Sequence, residues 1–133
     1  MIPVRRIETP EVPEPPGASW SNCLQVGREL VFSGVTARGP AGTIGGDSMQ
    51  AQTAACLDRV FAQLRAAGGG PRNIYRLAIY VTDITRKDEV NAARKAAFTG
   101  TYPASTLLEV SGLVFPDLLV EIDAFANLDV TLT

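Results

Sequence analysis

Glu121 stands in the middle of the run Leu118 to Ala126, among Leu, Val and Ile, with Asp123 two residues on. Residues two apart in an extended strand share a face, so the two carboxyls lie side by side. Covering that face desolvates a carboxyl and raises its pKa, which makes a glutamate a usable proton carrier near neutral pH. The plain alternative is a solvent-facing strand with two charges, and the residues alone do not decide between them. Few other groups can do chemistry. The chain has no His, which removes Ser-His-Asp and Cys-His dyads and most zinc sites. Cys23 and Cys56 form no CxxC and read as buried, reduced thiols. Lys87 and Lys95 fall in or beside a helical segment and read as solvated charges rather than Schiff-base lysines. The Gly-rich stretch Ala41 to Gly46 precedes a helix but carries neither the Walker lysine nor GxGxxG spacing, so it reads as a turn.

Composition sets the frame for that carboxylate pair. The chain has 133 residues, 46% hydrophobic and 20% charged, which suits one domain spanning 1–133 with its own core. Twelve Lys and Arg against 14 Asp and Glu leave a net charge of −2, so no basic surface awaits nucleic acid. No apolar run follows Arg5-Arg6, and none approaches the ~18 residues of a membrane span. A soluble, cytoplasmic protein without membrane partners is expected.

The elements that must position Glu121 follow from periodicity. Thr9 to Gly17 carries Pro10, Pro13, Pro15 and Pro16 and reads as an extended connection. Asn22–Val26 and Glu29–Ser33 flank Gly27-Arg28, which suits a tight type II′ hairpin. Gly34 to Gly46 reads as a long loop. Cys56, Leu57, Val60, Phe61 and Leu64 give a helix over Asp47 to Ala67, capped by Asp47 or Ser48 and stopped by Gly68-Gly69-Gly70-Pro71. Ile74 to Asp83 alternates as a strand. A second helix runs to Gly100, with Thr85 and Asp88 resembling a capping box. Ser105 to Val110 and Leu118 to Ala126 are further strands, with another at Val4 to Glu8. The order β-β-α-β-α-β-β indicates an α+β sandwich with two helices on one face of the sheet. The apolar content of the other face suggests burial in an oligomer.

The run Tyr102-Pro103-Ala104-Ser105-Thr106-Leu107-Leu108-Glu109-Val110, followed by Gly112-Leu113 and Val120-Glu121-Ile122-Asp123-Ala124, resembles the carboxy-terminal signature of the RidA/YjgF family. Leu30-Val31-Phe32-Ser33-Gly34, Gln52-Thr53, Ala66-Ala67-Gly68 and Val90-Asn91 match upstream segments in the same order. The resemblance implies a chorismate-mutase-like α+β fold, a homotrimer, and three clefts between subunits. Such proteins hydrolyse enamines and imines such as 2-aminoacrylate to the 2-oxo acid and ammonia, without cofactor. Related members are associated with aminomuconate deamination, pyrimidine catabolism or ribonuclease activity.

Carried onto this chain, the resemblance makes Glu121 the catalytic group that holds or protonates through a water. It places Trp20, Ser33, Gly34, Asn91, Ser105 and Leu107 around the substrate. The chain departs from the pattern at three of these. Ser105 stands where the deaminases carry an arginine that forks the substrate carboxylate, Trp20 replaces a common Tyr, and Leu107 replaces a small residue or Cys. A hydroxyl is no substitute for a permanently charged fork. Arg94 or Arg38 could supply the charge, the plain reading of each being a surface arginine. The expected function is therefore a RidA-like hydrolase of a labile enamine, imine or related intermediate, and not the housekeeping 2-aminoacrylate deaminase. The alternatives are a non-catalytic small-molecule-binding or regulatory trimer and, more weakly, an endoribonuclease.

Overall fold

A computed structural model describes residues 1–133. Strands β1 (Val4–Arg6), β2 (Cys23–Val26) and β3 (Glu29–Phe32) pair antiparallel in sequence order. Gly27 has φ +62°, and no residue other than glycine has positive φ, so the turn at Gly27-Arg28 has the type II′ pattern and closes Val26 on Glu29. Three two-residue strands follow: β4 (Val35–Thr36), β5 (Arg38–Gly39) and β6 (Gly42–Thr43). The chain then forms α1 (Met49–Ala66), β7 (Ile74–Val81), α2 (Lys87–Ala97), β8 (Ala104–Glu109) and β9 (Val120–Asn127).

The main sheet has seven strands in the order β1-β2-β3-β9-β7-β8, with β4 also pairing β9. It is mixed. Only β8 runs parallel to its neighbour, because α2 carries the chain back across the sheet between β7 and β8. Both helices lie on one face, so the expectation of an α+β fold holds. Val120, Ile122, Ala124 and Ala126 of β9 and Leu77, Ile79 and Val81 of β7 point into that layer, against Cys56, Leu57, Val60 and Leu64 of α1. Full burial of each such aliphatic side chain contributes about 1.5–3 kcal/mol. Phe61 and Phe98 meet edge to face at 5.6 Å. No helix is long and apolar enough to cross a membrane.

The helix ends follow local chemistry. Ser48, not Asp47, caps α1, accepting from the Ala51 amide. At the other end Gly68 adopts φ +87°, and the Gly68 and Gly69 amides donate to the Arg65 and Leu64 carbonyls, closing a Schellman motif. The start of α2 differs from the expected capping box. A 3₁₀ turn over Ile84–Arg86 precedes it, and Asp83 accepts from both the Thr85 amide and the Thr85 hydroxyl. Thr85 is thus a donor to an earlier cap, and Asp88 pairs with Lys87. The helix stops at Ala97, and Phe98 turns extended and buries its ring. The Gly34–Gly46 loop also holds more structure than expected: β4, and the β5–β6 hairpin.

The face of the sheet away from the helices is uncovered. Glu121, Asp123 and Phe125 of β9 lie on it with Tyr80 of β7 and Val31 of β3, and Val31, Leu108 and Phe125 are 48%, 51% and 37% exposed.

Candidate active site

Glu121 sits between buried Val120 and Ile122 and pairs with Thr36 on β4 and Tyr80 on β7. Its side chain projects onto the uncovered face beside Gly34, which links β3 to β4. A Cβ added at Gly34 would lie 2.6 Å from Glu121 Oε2, 2.9 Å from Cδ and 3.3 Å from Asp123 Oδ1. Glycine here provides space: it lets a carboxyl lie against the backbone. Burial, and secondarily the charge of Asp123, push the Glu121 pKa above the ordinary 4.5. The Tyr80 hydroxyl donates to Asp123 Oδ2 at 3.2 Å, and the Asp123 charge raises the phenol's own pKa. Arg76, on the same face, donates to the Thr106 hydroxyl at 2.8 Å and lies over the Phe125 ring. No hydrogen bond or ion pair engages the Glu121 carboxyl. It is therefore a half-buried acid with a raised pKa and free lone pairs, the description of a group able to hold and pass a proton.

Ser33 immediately precedes Gly34, and Ser33 and Trp20 both bond within the segment leading into β2. The Ser33 hydroxyl donates to the Ser21 carbonyl at 2.6 Å, and the Trp20 indole donates to Asn22 Oδ1 at 3.2 Å. The Trp20 ring is 50% exposed.

The remaining predicted residues lie elsewhere. Parallel pairing of Leu77 with Ser105 and Ile79 with Leu107 turns both β8 side chains toward the helix side of the sheet. Leu107 packs against the core. Ser105 is exposed at the sheet edge, where Arg94 of α2 donates to its hydroxyl at 2.9 Å. Beside this contact is a cavity of about 200 Å³ lined by Leu77, Asn91, Arg94, Lys95, Phe98, Tyr102 and Pro103. Within one chain, then, Glu121 and Gly34 form one group on the open face. Asn91 and Ser105 form another on the helix side, and the sheet lies between the two.

Other candidates fall away from both groups. Arg38 lies over the Phe115 ring at 4.3 Å, and its carbonyl accepts from Arg59. A larger cavity, of about 330 Å³ between Gly70–Asn73, the end of α2 and Leu132, contains no carboxylate, and its one cation, Arg72, is tied to the Leu132 carbonyl at 2.9 Å. No three His, Cys, Asp or Glu side chains converge as metal ligands. Sequence reasoning missed two features: the contact of Gly34 with Glu121, set by a register between distant segments, and the Arg94–Ser105 bond between a helix and the neighbouring edge strand.

Comparison with known proteins adds a frame. The family model described as Endoribonuclease L-PSP matches residues 12–128. A RutC family protein of Pyrococcus horikoshii is 30% identical over 121 residues, covering 90% of this chain and 94% of its own. A crystal structure of a Pseudomonas aeruginosa protein of unknown function superposes with a TM-score of 0.91 at 51% identity, over 99% of this chain and 97% of that one. A conserved Rid-family protein of Yersinia pestis, also of unknown function, superposes with a TM-score of 0.85 at 30% identity, over 94% and 99% of the two chains.

Proposed function

Because the chain belongs to the RidA/YjgF family, described as endoribonuclease L-PSP, we propose that it hydrolyses a labile imine or enamine of a small molecule, with Glu121 as its proton carrier. One observation carries this reading: the Glu121 carboxyl is half-buried, unpartnered, raised in pKa and laid against the Gly34 backbone. An enamine first takes a proton on carbon from the Glu121 carboxyl and gives one up from nitrogen to the carboxylate, which leaves the imine and the acid as it was. Water then adds to the imine carbon while Glu121 accepts one proton from it and returns one to nitrogen. The carbinolamine collapses to a carbonyl compound and ammonia, and the carboxyl ends as it began.

The second part of the proposal is that the site is completed by assembly. In a homotrimer the Glu121–Gly34 group of one subunit would face the Asn91–Ser105 group of its neighbour, with Trp20 and Ser33 at the rim and the β8 backbone around Leu107 as a further wall. The exposed Val31, Leu108 and Phe125 on the open sheet face support such an interface.

The test is release of ammonia and 2-oxo acid from enzymatically generated 2-aminoacrylate and 2-iminobutyrate by the wild type and Ser105→Arg, with assembly mass measured alongside: turnover that appears only with the arginine means an intact site whose natural substrate lacks that carboxylate, and fast wild-type turnover means another residue holds it. The Glu121 variant is made in whichever background is active. Glu121→Gln should keep the wild-type mass and lose about 10²-fold or more of turnover, as removal of a general acid-base does. Equal turnover removes Glu121 from the mechanism. Ligand-induced stabilisation without any product would instead support a binding trimer.

A further inference from the structure

Asp123 is in register with Ala78, so Arg76 and Tyr80, two residues to either side of Ala78, flank it diagonally on the open face of the sheet. The Tyr80 hydroxyl donates to Asp123 Oδ2 at 3.2 Å, and the Arg76 guanidinium lies over the ring of Phe125, its own register partner. The other oxygen of Asp123 is turned toward Glu121. Asp123 Oδ1 and Glu121 Oε2 lie 3.3 and 2.6 Å from one point, the place a Cβ would take at Gly34. The two carboxyls share that seat but differ in their bonding: Asp123 has a phenol donor and Glu121 has none. Like charges this close disfavour ionising both groups. A proton on Glu121 displaces no hydrogen bond, whereas a proton on Asp123 Oδ2 competes with the Tyr80 hydroxyl for the same oxygen.

We propose that Tyr80 and Asp123 are a positioning pair for Glu121: the phenol pins the Asp123 carboxylate beside Gly34, and that fixed negative charge makes Glu121 the member of the two that carries the proton. The pair rests on the reading of Glu121 as proton carrier and deepens it, by naming what keeps that carboxyl in the acid form that protonates an enamine. Burial leads in raising the Glu121 pKa, and the Asp123 charge adds to it. The other ionisable groups around Glu121 supply no second anion. Arg76 and Tyr80 face it from β7, Arg59 and the Cys56 thiol stand on α1 behind the sheet, and β4 offers only Thr36. The thiol is pushed up to about 12 by burial, and the Asp123 charge holds the phenol above its ordinary 10, so both are neutral.

The test is a carboxyl-carbon NMR titration of Glu121 in the wild type, Asp123→Asn, Asp123→Glu and Tyr80→Phe. Asp123→Asn removes the charge and keeps an oxygen for Tyr80, and Tyr80→Phe removes the donor and keeps the ring. Glu29→Gln is the control, because it removes a carboxylate from the far end of the same face, where Glu29 accepts from Tyr75 and Asn127. The Glu121 midpoint should fall toward the ordinary 4.5 in Asp123→Asn and, by less, in Tyr80→Phe. It should stay at the wild-type value in Glu29→Gln and near it in Asp123→Glu. In the background that turns substrate over, Asp123→Asn should lose ~3–10-fold of activity at about pH 8 and progressively less as pH falls, whereas a merely structural loss is even across pH. An unmoved midpoint in Asp123→Asn or Tyr80→Phe, or an equal fall in Glu29→Gln, overturns the proposal. The titration is read without turnover, so the two readings fail separately. A midpoint that falls as expected with no hydrolysis by any variant keeps the pair and removes the hydrolase. Glu121-dependent hydrolysis with an unchanged pH profile in Asp123→Asn and Tyr80→Phe does the reverse.

Discussion

The carboxyl of Glu121 occupies the space that a side chain at position 34 would need: Gly34 and Glu121 are matched, backbone to carboxyl, across the β3–β4 junction and β9. Gly34 does not require a left-handed backbone. What it contributes is access, and an alanine there forces the carboxyl to move.

Gly34→Ala should therefore act on chemistry more than on folding. The atom it meets is the far end of a flexible side chain, which can swing away into solvent. Stability should change by less than ~1 kcal/mol while turnover falls ~10-fold or more. Carbon-detected NMR titration should show the Glu121 pKa moving back toward the ordinary 4.5. A pKa that stays raised would mean that the carboxyl did not depend on Gly34 for its burial.

Two glutamates should give opposite pH signatures in thermal melts. The folded-state pKa of Glu121 lies above its unfolded value, so its ionisation opposes folding and stability is lost as pH rises through that pKa. Glu121→Gln should melt with the wild type below pH 4.5 and above it by about 1–4 °C at neutral pH. Glu89 runs the other way. It accepts from the Met49 and Gln50 amides at the start of α1 and pairs with Arg86 at 2.6 Å, and that bond to Arg86 leads in lowering its pKa. Its stabilisation is present above 4.5 and lost as pH falls through the lowered value. Glu89→Gln should melt below the wild type at neutral pH, with the gap closing in acid. A gap that keeps its size across the titration would contradict either assignment.

Gln52 should be among the most sensitive positions outside the site. It is fully buried, donates to the Gly46 and Asp117 carbonyls at 2.7 and 2.9 Å, and accepts from the Leu119 amide at 2.9 Å. One side chain thus ties the loop before α1 to the segment entering β9. Gln52→Met keeps the volume and leaves three backbone groups unpaired, so urea denaturation should show a loss of about 2–4 kcal/mol. A loss under ~1 kcal/mol would mean that water takes over those bonds.

The thiols should be inert in the folded protein. Burial pushes both Cys23 and Cys56 up to about 12, and both side chains are fully enclosed. Ellman's reagent at pH 8 should label neither thiol until denaturant is added, and then both; fast labelling of the native protein would show that one of them opens to solvent.

Much of this was legible in the sequence because it is local. The hairpin at Gly27-Arg28, the stripe from Cys56 to Leu64, the Gly68 stop and the alternation of β7 and β9 each depend on neighbours within a few residues, where periodicity speaks directly. Glu121 stood out for the same reason, a carboxylate in an apolar strand. The rest depends on pairings between distant segments. β4 has two residues and exists because Val35 and Thr36 find Ile122 and Glu121, a register no window can see. The same register sets Gly34 beside Glu121. The capping of α2 failed locally because Asp83, two residues earlier, outcompeted Thr85 as an acceptor. Ser105 was noticed as a departure, but its bond to Arg94 needed the crossover that lays α2 beside β8.

The strand order carries a consequence for how the protein is made. β9 follows every other strand in the sequence yet lies between β3 and β7, so Leu30 and Leu77 belong to halves of a sheet with no hydrogen bonds to each other until residues 120–127 arrive. Synthesis at ~5–20 residues per second leaves the nascent chain for seconds with two apolar strand edges and no common partner. During that interval the growing polypeptide, rather than the finished protein, is the species most exposed to aggregation and most in need of a chaperone.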